Sequence, residues 1–327
     1  MFPKPISLFK TDDVIWSFDF INDSEFLITE RSGKLIHFNK KTSKKTNLNV
    51  PKVSASGQGG LLDVHLKKIN NTNYIYITFS QKHLGSLTTV LARAKFSGPK
   101  QLDWEVLFRA KVKSNSSVHF GSRIVFVDNH LFMTIGDRGK RKLAQDLSLH
   151  QGKILRLTLN GKAPKDNPFI NIKNAQPEIW SYGHRNPQGI IYDNQSKTLY
   201  STEFGPRGGD ELNIIKKGKN YGWPLISYGS EYWGPKIGKI KMDGMEQPIT
   251  YWVPSISPSG LAFYNNSLYI ANLSSEHIRK VNIKNKVVTG QSKLFESLEQ
   301  RIRHVKISKD KKLYFSTDEG HLYRAEL

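Results

Sequence analysis

The stretch His119-Phe-Gly-Ser-Arg-Ile-Val-Phe-Val-Asp-Asn-His-Leu-Phe-Met-Thr-Ile-Gly-Asp137-Arg-Gly decides the fold of this 327-residue chain. Two short runs of alternating apolar residues flank an Asp-Asn turn, a pattern that predicts a β-hairpin. His119 and Asp137 stand at the outer ends of the two predicted strands, so both belong to the same edge of the hairpin. The stretch therefore predicts a β scaffold with a titratable pair on one rim.

The same strand-turn-strand pattern recurs five more times, roughly 45 to 70 residues apart. Antiparallel units repeated at this period are typical of a β-propeller, whose radial packing leaves only short sheet edges. We predict an all-β fold, a six-bladed β-propeller of four-stranded antiparallel blades, with residues 1–327 forming a single domain. The N-terminal strand Ile6-Ser-Leu-Phe is expected to complete the last blade, and the stretches 160–180 and 225–250 are expected to hold insertions.

Composition excludes several classes of protein. The chain has no cysteine, so disulfide frameworks, thiolate metal sites and cysteine nucleophiles are ruled out. No window of about 18 apolar residues is present, and we predict no membrane span. The first ten residues lack the apolar core of a signal peptide, which fits either a cytosolic protein or a processed chain.

The formal net charge is +21. Because the lysines are scattered rather than clustered, we interpret this charge as a basic, soluble surface. A polyanion partner is the alternative, and nucleic acid is not expected.

Gly-flanked polar residues recur at the starts of the predicted repeats. Loops that enter the innermost strands of a propeller gather at one mouth of its channel, so we expect these residues to share one pocket. A His with an Asp partner can act as a general base, and arginines bind carboxylates through paired hydrogen bonds. The pattern predicts a site for an anionic ligand, built from the segments Gly57-Gln58-Gly59-Gly60, His119-Phe-Gly-Ser, Gly136-Asp137-Arg138-Gly139, Gly183-His184-Arg185-Asn186-Pro187-Gln188-Gly189, Ser255-Ile-Ser-Pro-Ser-Gly260 and Arg301-Ile-Arg303.

A second cluster is Glu203-Phe-Gly-Pro-Arg-Gly-Gly-Asp210-Glu211-Leu-Asn213, followed by Lys219-Asn-Tyr221-Gly-Trp-Pro224. Adjacent carboxylates in a Gly-rich loop offer the hard oxygen ligands that calcium takes. An ordinary acidic turn is the alternative at this point, because the spacing does not match an EF-hand.

Taken together, these motifs resemble the soluble glucose/sorbosone dehydrogenases, and within them the aldose sugar dehydrogenases that use pyrroloquinoline quinone. The resemblance runs from about Gln58 to Asp318. It rests on His119-Phe-Gly-Ser-Arg, Ile135-Gly-Asp-Arg-Gly, Gly152-Lys-Ile-Leu-Arg, Tyr182-Gly-His-Arg-Asn-Pro-Gln-Gly, Gly205-Pro with Gly-Gly-Asp-Glu-Leu-Asn, and Asn220-Tyr-Gly-Trp-Pro.

The resemblance implies roles for individual residues. His119 would be the base that takes the C1-hydroxyl proton, Asp137 its supporting carboxylate, and Arg185 the group that stabilises charge on the reduced quinone. The residues implied to contact the cofactor are Gln58, Arg185, Asn186, Ser255, Arg301 and Arg303. Calcium would be held by the carbonyls of Gly205 and Pro206, with Asp210, Glu211 and Tyr221 at a neighbouring calcium site, and Trp252 would lie near the substrate mouth.

Ser274 departs from the family pattern, because glucose-type members have a cofactor-contacting lysine there. The resemblance implies oxidation of the anomeric hydroxyl of aldoses to lactones, with electrons passed to a separate acceptor. It further implies a monomer or homodimer that is periplasmic or secreted after loss of a leader. A sugar- or polyanion-binding propeller without turnover is the alternative.

Overall fold

The computed structural model describes residues 4–327, and nearly all of their regular structure is β-strand. Two short 3-10 helices, Arg141–Gln145 and Glu296–Leu298, are the only helical elements in this range. No helix among these residues is long and apolar enough to cross a membrane.

The strands form six antiparallel sheets of four, which are the blades of a β-propeller. Strand β1 (Ile6–Lys10) belongs to the last blade. Blade 1 contains β2 (Ile15–Phe20), β3 (Glu25–Glu30), β4 (Lys34–Asn39) and β5 (Lys44–Leu48). Blade 2 contains β6 (Leu61–Ile69), β7 (Thr72–His83), β8 (Ser86–Lys95) and β9 (Trp104–Arg109). Blade 3 contains β10 (Ile124–Val127), β11 (His130–Ile135), β12 (Lys153–Thr158) and β13 (Ile179–Tyr182).

Blade 4 contains β14 (Pro187–Asp193), β15 (Thr198–Glu203), β16 (Asp210–Ile214) and β17 (Thr250–Trp252). Blade 5 contains β18 (Pro258–Tyr264), β19 (Ser267–Asn272), β20 (Ile278–Lys284) and β21 (Val287–Leu294). Blade 6 contains β22 (Ile302–Ile307), β23 (Leu313–Thr317) and β24 (His321–Ala325), and β1 is its fourth strand. The predicted fold class, the number of blades and the closure by the N-terminal strand are confirmed.

Each pair of neighbouring blades shares its own cluster of buried apolar side chains. Leu27 and Ile77 belong to the cluster between blades 1 and 2, and Tyr269 and Phe315 to the one between blades 5 and 6. Between blades 6 and 1, Phe9 of β1 packs with residues of both sheets. The hydrophobic core is therefore a ring of six interfaces around a polar axis.

The first strand of a blade lies nearest the axis, and most of these strands carry a register irregularity close to their start. The pairing shifts within β2, β6, β14, β18 and β22. A β-bulge bends the strand and re-aims a side chain. Three residues at these shifts, Trp16, Gln188 and Arg303, line the same cavity at one end of the axis.

The two expected insertions are present. Residues 159–178 and 215–249 contain no strand of the six sheets, and the second of these runs between β16 and β17. Isolated bridges, including the one between Arg207 and Ser230, fold this segment back toward the start of blade 4. It brings Tyr232 to the wall of the cavity.

Candidate active site

A cavity of about 260 Å³ lies where the loops of all six blades meet. Nine of the residues singled out in the sequence line it, although they come from distant parts of the chain. They are Gln58, His119, Arg185, Asn186, Gly205, Pro206, Ser255, Arg301 and Arg303. Five of the six predicted segments contribute residues to this lining. The segment 136–139 does not line the cavity, although its Asp137 contacts His119.

His119 and Asp137 form a hydrogen-bonded pair at the cavity wall. Nδ1 of His119 lies 2.6 Å from Oδ1 of Asp137. The same carboxylate accepts hydrogen bonds from the backbone N–H of Gly139 at 2.8 Å and, through Oδ2, from Nε1 of Trp223 at 2.8 Å. Asp137 is thus fixed by donors on both oxygens, and it fixes the imidazole in turn.

The protonation states of the pair follow from these contacts. Burial alone would raise the pKa of Asp137, but the hydrogen bond and charge of His119 and the charge of Arg185 hold it below the ordinary 3.8. Burial lowers the pKa of His119 from 6.5; the hydrogen bond that His119 donates to Asp137 opposes this shift and the charge of Arg185 adds to it. Because an ionised carboxylate can only accept, Nδ1 carries the proton and Nε2 keeps a lone pair for a ligand.

The backbone around His119 is held independently of its ring. Its N–H donates to Oε1 of Gln58 at 2.8 Å, and its φ of +56° lies in the left-handed region that non-glycine residues seldom adopt. The Arg138 guanidinium stacks on Phe120, 3.4 Å from the ring centroid, and donates to the carbonyls of Ser116 and Val118. A strained backbone held by several partners indicates a site whose geometry is set before a ligand arrives.

Positive charge dominates the cavity lining. Arg301 and Arg303 both bind Asp318, which accepts the Nε and Nη2 hydrogen bonds of Arg303 at 2.7 Å each and the Nε hydrogen bond of Arg301 at 3.0 Å. Burial would raise the pKa of Asp318, and the two guanidinium groups hold it below 3.8. Arg31 and Arg185 also line the cavity. Four arginines against one carboxylate leave a net positive charge, which fits a ligand with several carboxylates.

Arg185 spans two cavities. Its Nη1 donates to the carbonyls of Phe204 at 3.2 Å and Gly205 at 2.8 Å, and its backbone N–H donates to Oε2 of Glu203 at 2.7 Å. The Gly205 carbonyl, which the resemblance assigns to calcium, is therefore already accepting a hydrogen bond from a cationic side chain. A carbonyl oxygen keeps a second lone pair, but a cation there would lie close to the positive charge of Arg185. The assignment of Gly205 and Pro206 as calcium ligands stays a prediction.

A smaller cavity of about 20 Å³ lies beside the first and is lined by Glu203 and Glu211, together with Gly205, Gly209 and Tyr221. No cluster of three or more His, Asp or Glu suited to a metal occurs within residues 4–327. Even so, the buried Glu203 and the partly buried Glu211 line one small space. Desolvation followed by the charge of Glu203 raises the pKa of Glu211 to about 8. Carboxylates with surrounding carbonyls form a donor set that suits calcium.

The structure gives Asp210 and Tyr221 other partners. Asp210 accepts from Gly205 N–H on one oxygen, and from Ser255 Oγ and the N–H groups of Ile256 and Ser257 on the other. It therefore ties together two loops of the main cavity. The Tyr221 hydroxyl donates to the Ile214 carbonyl at 2.6 Å, which leaves only the backbone of Tyr221 for a metal. Their assignment as calcium ligands stays a prediction.

Two further residues behave differently from the expectation. Trp252 packs in the core between blades 4 and 5, and its Nε1 donates to Gln291 at 3.0 Å, so it is not part of the cavity lining described above. Ser274 is exposed and donates to the Ser255 carbonyl at 3.3 Å. Ser274 does not line the cavity, but its neighbour Leu273 does, and the hydrogen bond of Ser274 links this segment to the Ser255 loop.

Several site residues were missed in the sequence, among them Glu203 as a carboxylate of the small cavity and Asp318 as the partner of two arginines. A signal was present for Glu203, because the second strands of three repeats end in an acid or amide at the same position. The residues are Glu30, Glu203 and Asn272. Asp318 lies one residue beyond the end of β23 and does not share this position. Trp223, which supports Asp137, comes from the insertion and has no counterpart in the other repeats.

The fold is thus a six-bladed propeller with an arginine-lined cavity at one end of its axis and a His–Asp pair at the cavity wall. The family model for glucose/sorbosone dehydrogenases matches residues 12–324. The chain belongs to this family.

Named relatives agree with that assignment. The chain is 40% identical to the aldose sugar dehydrogenase YliI of Escherichia coli K12 over 323 residues, which cover 93% of this chain and 87% of the relative. The crystal structure of the soluble E. coli aldose sugar dehydrogenase in its apo form superposes with a TM-score of 0.94, at 38% identity and 98% coverage of both chains. The PQQ-bound form of the aldose sugar dehydrogenase from Streptomyces coelicolor gives a TM-score of 0.83 at 28% identity, covering 98% of this chain and 96% of that one.

Proposed function

We propose that this protein is a quinoprotein aldose dehydrogenase, which oxidises the anomeric C1 hydroxyl of aldoses to lactones with pyrroloquinoline quinone as cofactor. The observation that carries the proposal is the His119–Asp137 pair, 2.6 Å apart, at the wall of a cavity lined by four arginines. The names of the E. coli and S. coelicolor relatives support the same substrate class and cofactor.

The cavity residues fit the proposed cofactor. Pyrroloquinoline quinone carries three carboxylates, and Arg301 and Arg303 each keep a guanidinium nitrogen beyond those bound to Asp318. Gln58, Asn186 and Ser255 would supply further polar contacts from three other blades. When bound, the quinone supplies an electrophile that accepts a hydride from C1 of the sugar.

The chain's own residues supply the proton transfer. His119 Nε2 accepts the proton of the C1 hydroxyl, and the ionised Asp137 stabilises the imidazolium that forms. Loss of that proton and of the hydride together converts the aldose to its lactone. Arg185 places a fixed positive charge where negative charge develops on the bound acceptor, which lowers the barrier by electrostatic stabilisation.

We propose that calcium binds in the small cavity lined by Glu203 and Glu211, whose carboxylates are the hard oxygen donors that the ion takes. Glu203 already contacts His184 and accepts from Asn213 and the Arg185 N–H, so Glu211 is the carboxylate on which the proposal mainly rests. Tyr221 and Gly209 also line this space and offer backbone carbonyls. Neutralising the carboxylate pair would fix the loop that carries Gly205 and Pro206 at the edge of the main cavity.

Reconstitution tests the proposal directly. The purified protein is loaded with pyrroloquinoline quinone and calcium, and dye reduction is followed with a panel of aldoses. We expect sugar-dependent reduction that needs the cofactor. Tight binding of sugar or cofactor without dye reduction would instead support the binding-only alternative and overturn the proposed enzymatic activity.

Periplasmic or secreted location, a separate electron acceptor and a monomeric or homodimeric state stay predictions.

A further inference from the structure

Each blade places one buried polar residue on the propeller axis, at the level just below the main cavity. These residues are among the first three of the first strand of each sheet or directly precede it, and each residue is at most 5% exposed. They are Ser17, Asp63, Arg123, Gln188, Ser259 and His304.

Half of this ring is satisfied by protein contacts. Asp63 Oδ1 accepts from Ser17 Oγ at 2.6 Å and from Arg123 Nη1 at 2.9 Å. Arg123 Nε donates to the Gln188 carbonyl at 3.1 Å. The charges of Asp63 and Arg123 therefore compensate each other on this side of the axis.

The other half has no such partners. Within residues 4–327, no hydrogen-bonding group reaches Gln188 Oε1, Ser259 Oγ, Arg123 Nη2 or either ring nitrogen of His304. The backbone is packed closely here, since a Cβ on Gly260 would lie 2.5 Å from His304 Nδ1 and one on Gly189 would lie 2.5 Å from the Ser259 carbonyl. Native proteins seldom leave buried polar atoms unpaired, and five on one axis point to a bound molecule.

The mixture of donors and acceptors identifies that molecule. Arg123 Nη2 can only donate, Gln188 Oε1 can only accept, and neutral His304 offers one nitrogen of each kind. An anion would leave the acceptors unpaired, whereas water both donates and accepts. Buried waters make about three hydrogen bonds each, so five atoms call for about two of them.

The polar column continues below the ring. Asp63 Oδ2 lies 3.2 Å from His65 Nε2, Lys306 Nζ lies 3.4 Å from His65 Nδ1, and Lys306 also donates to Asp19 at 2.7 Å. The side chains of Asp19, His65 and Lys306 are 14 to 17% exposed, so the column reaches solvent at the far end of the axis. At its upper end, Gln188 also lines the main cavity.

We propose that the propeller axis is an internal water site, in which Arg123, Gln188, Ser259 and His304 bind ordered water molecules beneath the floor of the main cavity. Through His65 and Lys306 this water connects the cavity floor to solvent on the opposite face. The proposal does not depend on the cofactor or on turnover.

The proposed water site is tested by whether two substitutions raise or lower the midpoint of thermal unfolding. Ser259→Ala and His304→Phe each replace an orphaned polar group by an apolar one. If water is bound, each substitution removes a hydrogen-bonding partner from it, and we expect the midpoint of thermal unfolding to fall by a few degrees. A dry axis gives the opposite sign, because removing an unsatisfied polar group stabilises a protein. A rise in the midpoint would overturn the proposal.

Ser316→Ala is the matched control, since Ser316 is equally buried and its Oγ donates to the Ile15 carbonyl at 2.9 Å. The midpoint of thermal unfolding of Ser316→Ala should fall whether or not water is bound on the axis. The size of this fall shows what the loss of one buried hydrogen bond costs in this protein. If His304→Phe does not fold, Ser259→Ala decides alone. A high-resolution crystal structure should show water within hydrogen-bonding distance of His304. Empty density, or a bromide ion located there by anomalous scattering after a soak, would contradict the proposal.

Discussion

His119 is restrained at three points before any ligand binds. Gln58 accepts its backbone N–H, Asp137 holds its ring, and Arg138 binds the carbonyl of the preceding residue, Val118. Restraints of this kind reduce the entropy that must be lost when a catalytic group meets its substrate. The residue therefore suits the role of base proposed for it.

Replacing His119 tests whether its imidazole is the base that accepts the proton. We expect His119→Gln to lower kcat by a factor of about 10²–10⁴, the usual contribution of a positioned base, while pyrroloquinoline quinone stays bound. The measurement is steady-state dye reduction together with the absorbance of bound cofactor. His83→Gln, at an exposed position on the outside of blade 2, should leave both unchanged. Full activity in His119→Gln would show that another group takes the proton.

The pH profile tests the neutral state of His119. Because burial lowers the pKa of His119, the base is neutral above a point that lies below pH 6.5, and kcat/KM should fall only under that pH. The hydrogen bond that His119 donates to Asp137 raises this pKa, so Asp137→Asn should move the acid limb to still lower pH and reduce kcat. An acid limb that moves to higher pH in the variant would contradict this assignment.

At the residue scale, the sequence was sufficient for side chains that occur in recognisable loops. Gln58, His119 and Arg185 each lie within two residues of a glycine at the start of a repeat, and all three line the cavity. It was not sufficient for Asp318, because its contact with Arg303 depends on how β23 lies against β22. Nor could it show that Asp210 is saturated by backbone donors, since the Ser255–Ser257 loop reaches it from another blade.

At the scale of elements, the bulges near the starts of the inner strands set the shape of the site. The alternation of apolar residues predicted these strands correctly, but not their irregular pairing. The bulged position is occupied by chemically unrelated side chains in different blades, namely Trp16, Gln188 and Arg303. Residue type therefore does not predict where a bulge occurs. Register shifts come from packing against the neighbouring blade, which is a tertiary effect.

The segment from Glu203 to Glu211 is the element on which calcium should act. A ligand that binds only the folded state stabilises it by about 2.7 kcal/mol at a hundredfold excess over its Kd. We expect calcium to raise the thermal midpoint of the wild type and to leave that of Glu211→Gln unchanged. Calorimetry with calcium or chelator makes the comparison.

The same variant has a second expected effect. The folded pKa of Glu211, about 8, exceeds the ordinary 4.5, so its favourable contribution is complete below about 4.5 and is lost as the pH rises through 8. In chelator at pH 9, Glu211→Gln should therefore unfold at a higher temperature than the wild type. Glu105→Gln, on an exposed glutamate of β9, should show neither effect. An equal calcium response in both variants would rule out this site.

At the scale of the whole molecule, the ring is closed by strands from opposite ends of the chain. Strand β1 pairs with β24, and Phe9 of β1 packs edge-to-face on Phe38 of blade 1 at 4.9 Å. We propose that the six blades unfold as one domain, because each shares a hydrophobic interface with both of its neighbours.

Phe9 offers a test of closure. Truncating a buried phenylalanine costs about 3–5 kcal/mol, and we expect Phe9→Ala to lower the free energy of unfolding by that amount. Ile6→Ala in the same strand is the control, since Ile6 is 53% exposed and should change little. Chemical denaturation measures both. Loss confined to a separate early transition would show that blade 6 opens independently of the other five.

Closure by β1 also fixes when the cavity can exist during synthesis. Strand β1 is made first and β24 nearly last, so the two can pair only after the ribosome has delivered almost the entire chain. The cavity draws on all six blades, from Trp16 to Asp318, and is incomplete until then. A nascent chain in which β24 has not yet been made therefore lacks the assembled pocket, and binding of any cofactor there must follow the synthesis of β24.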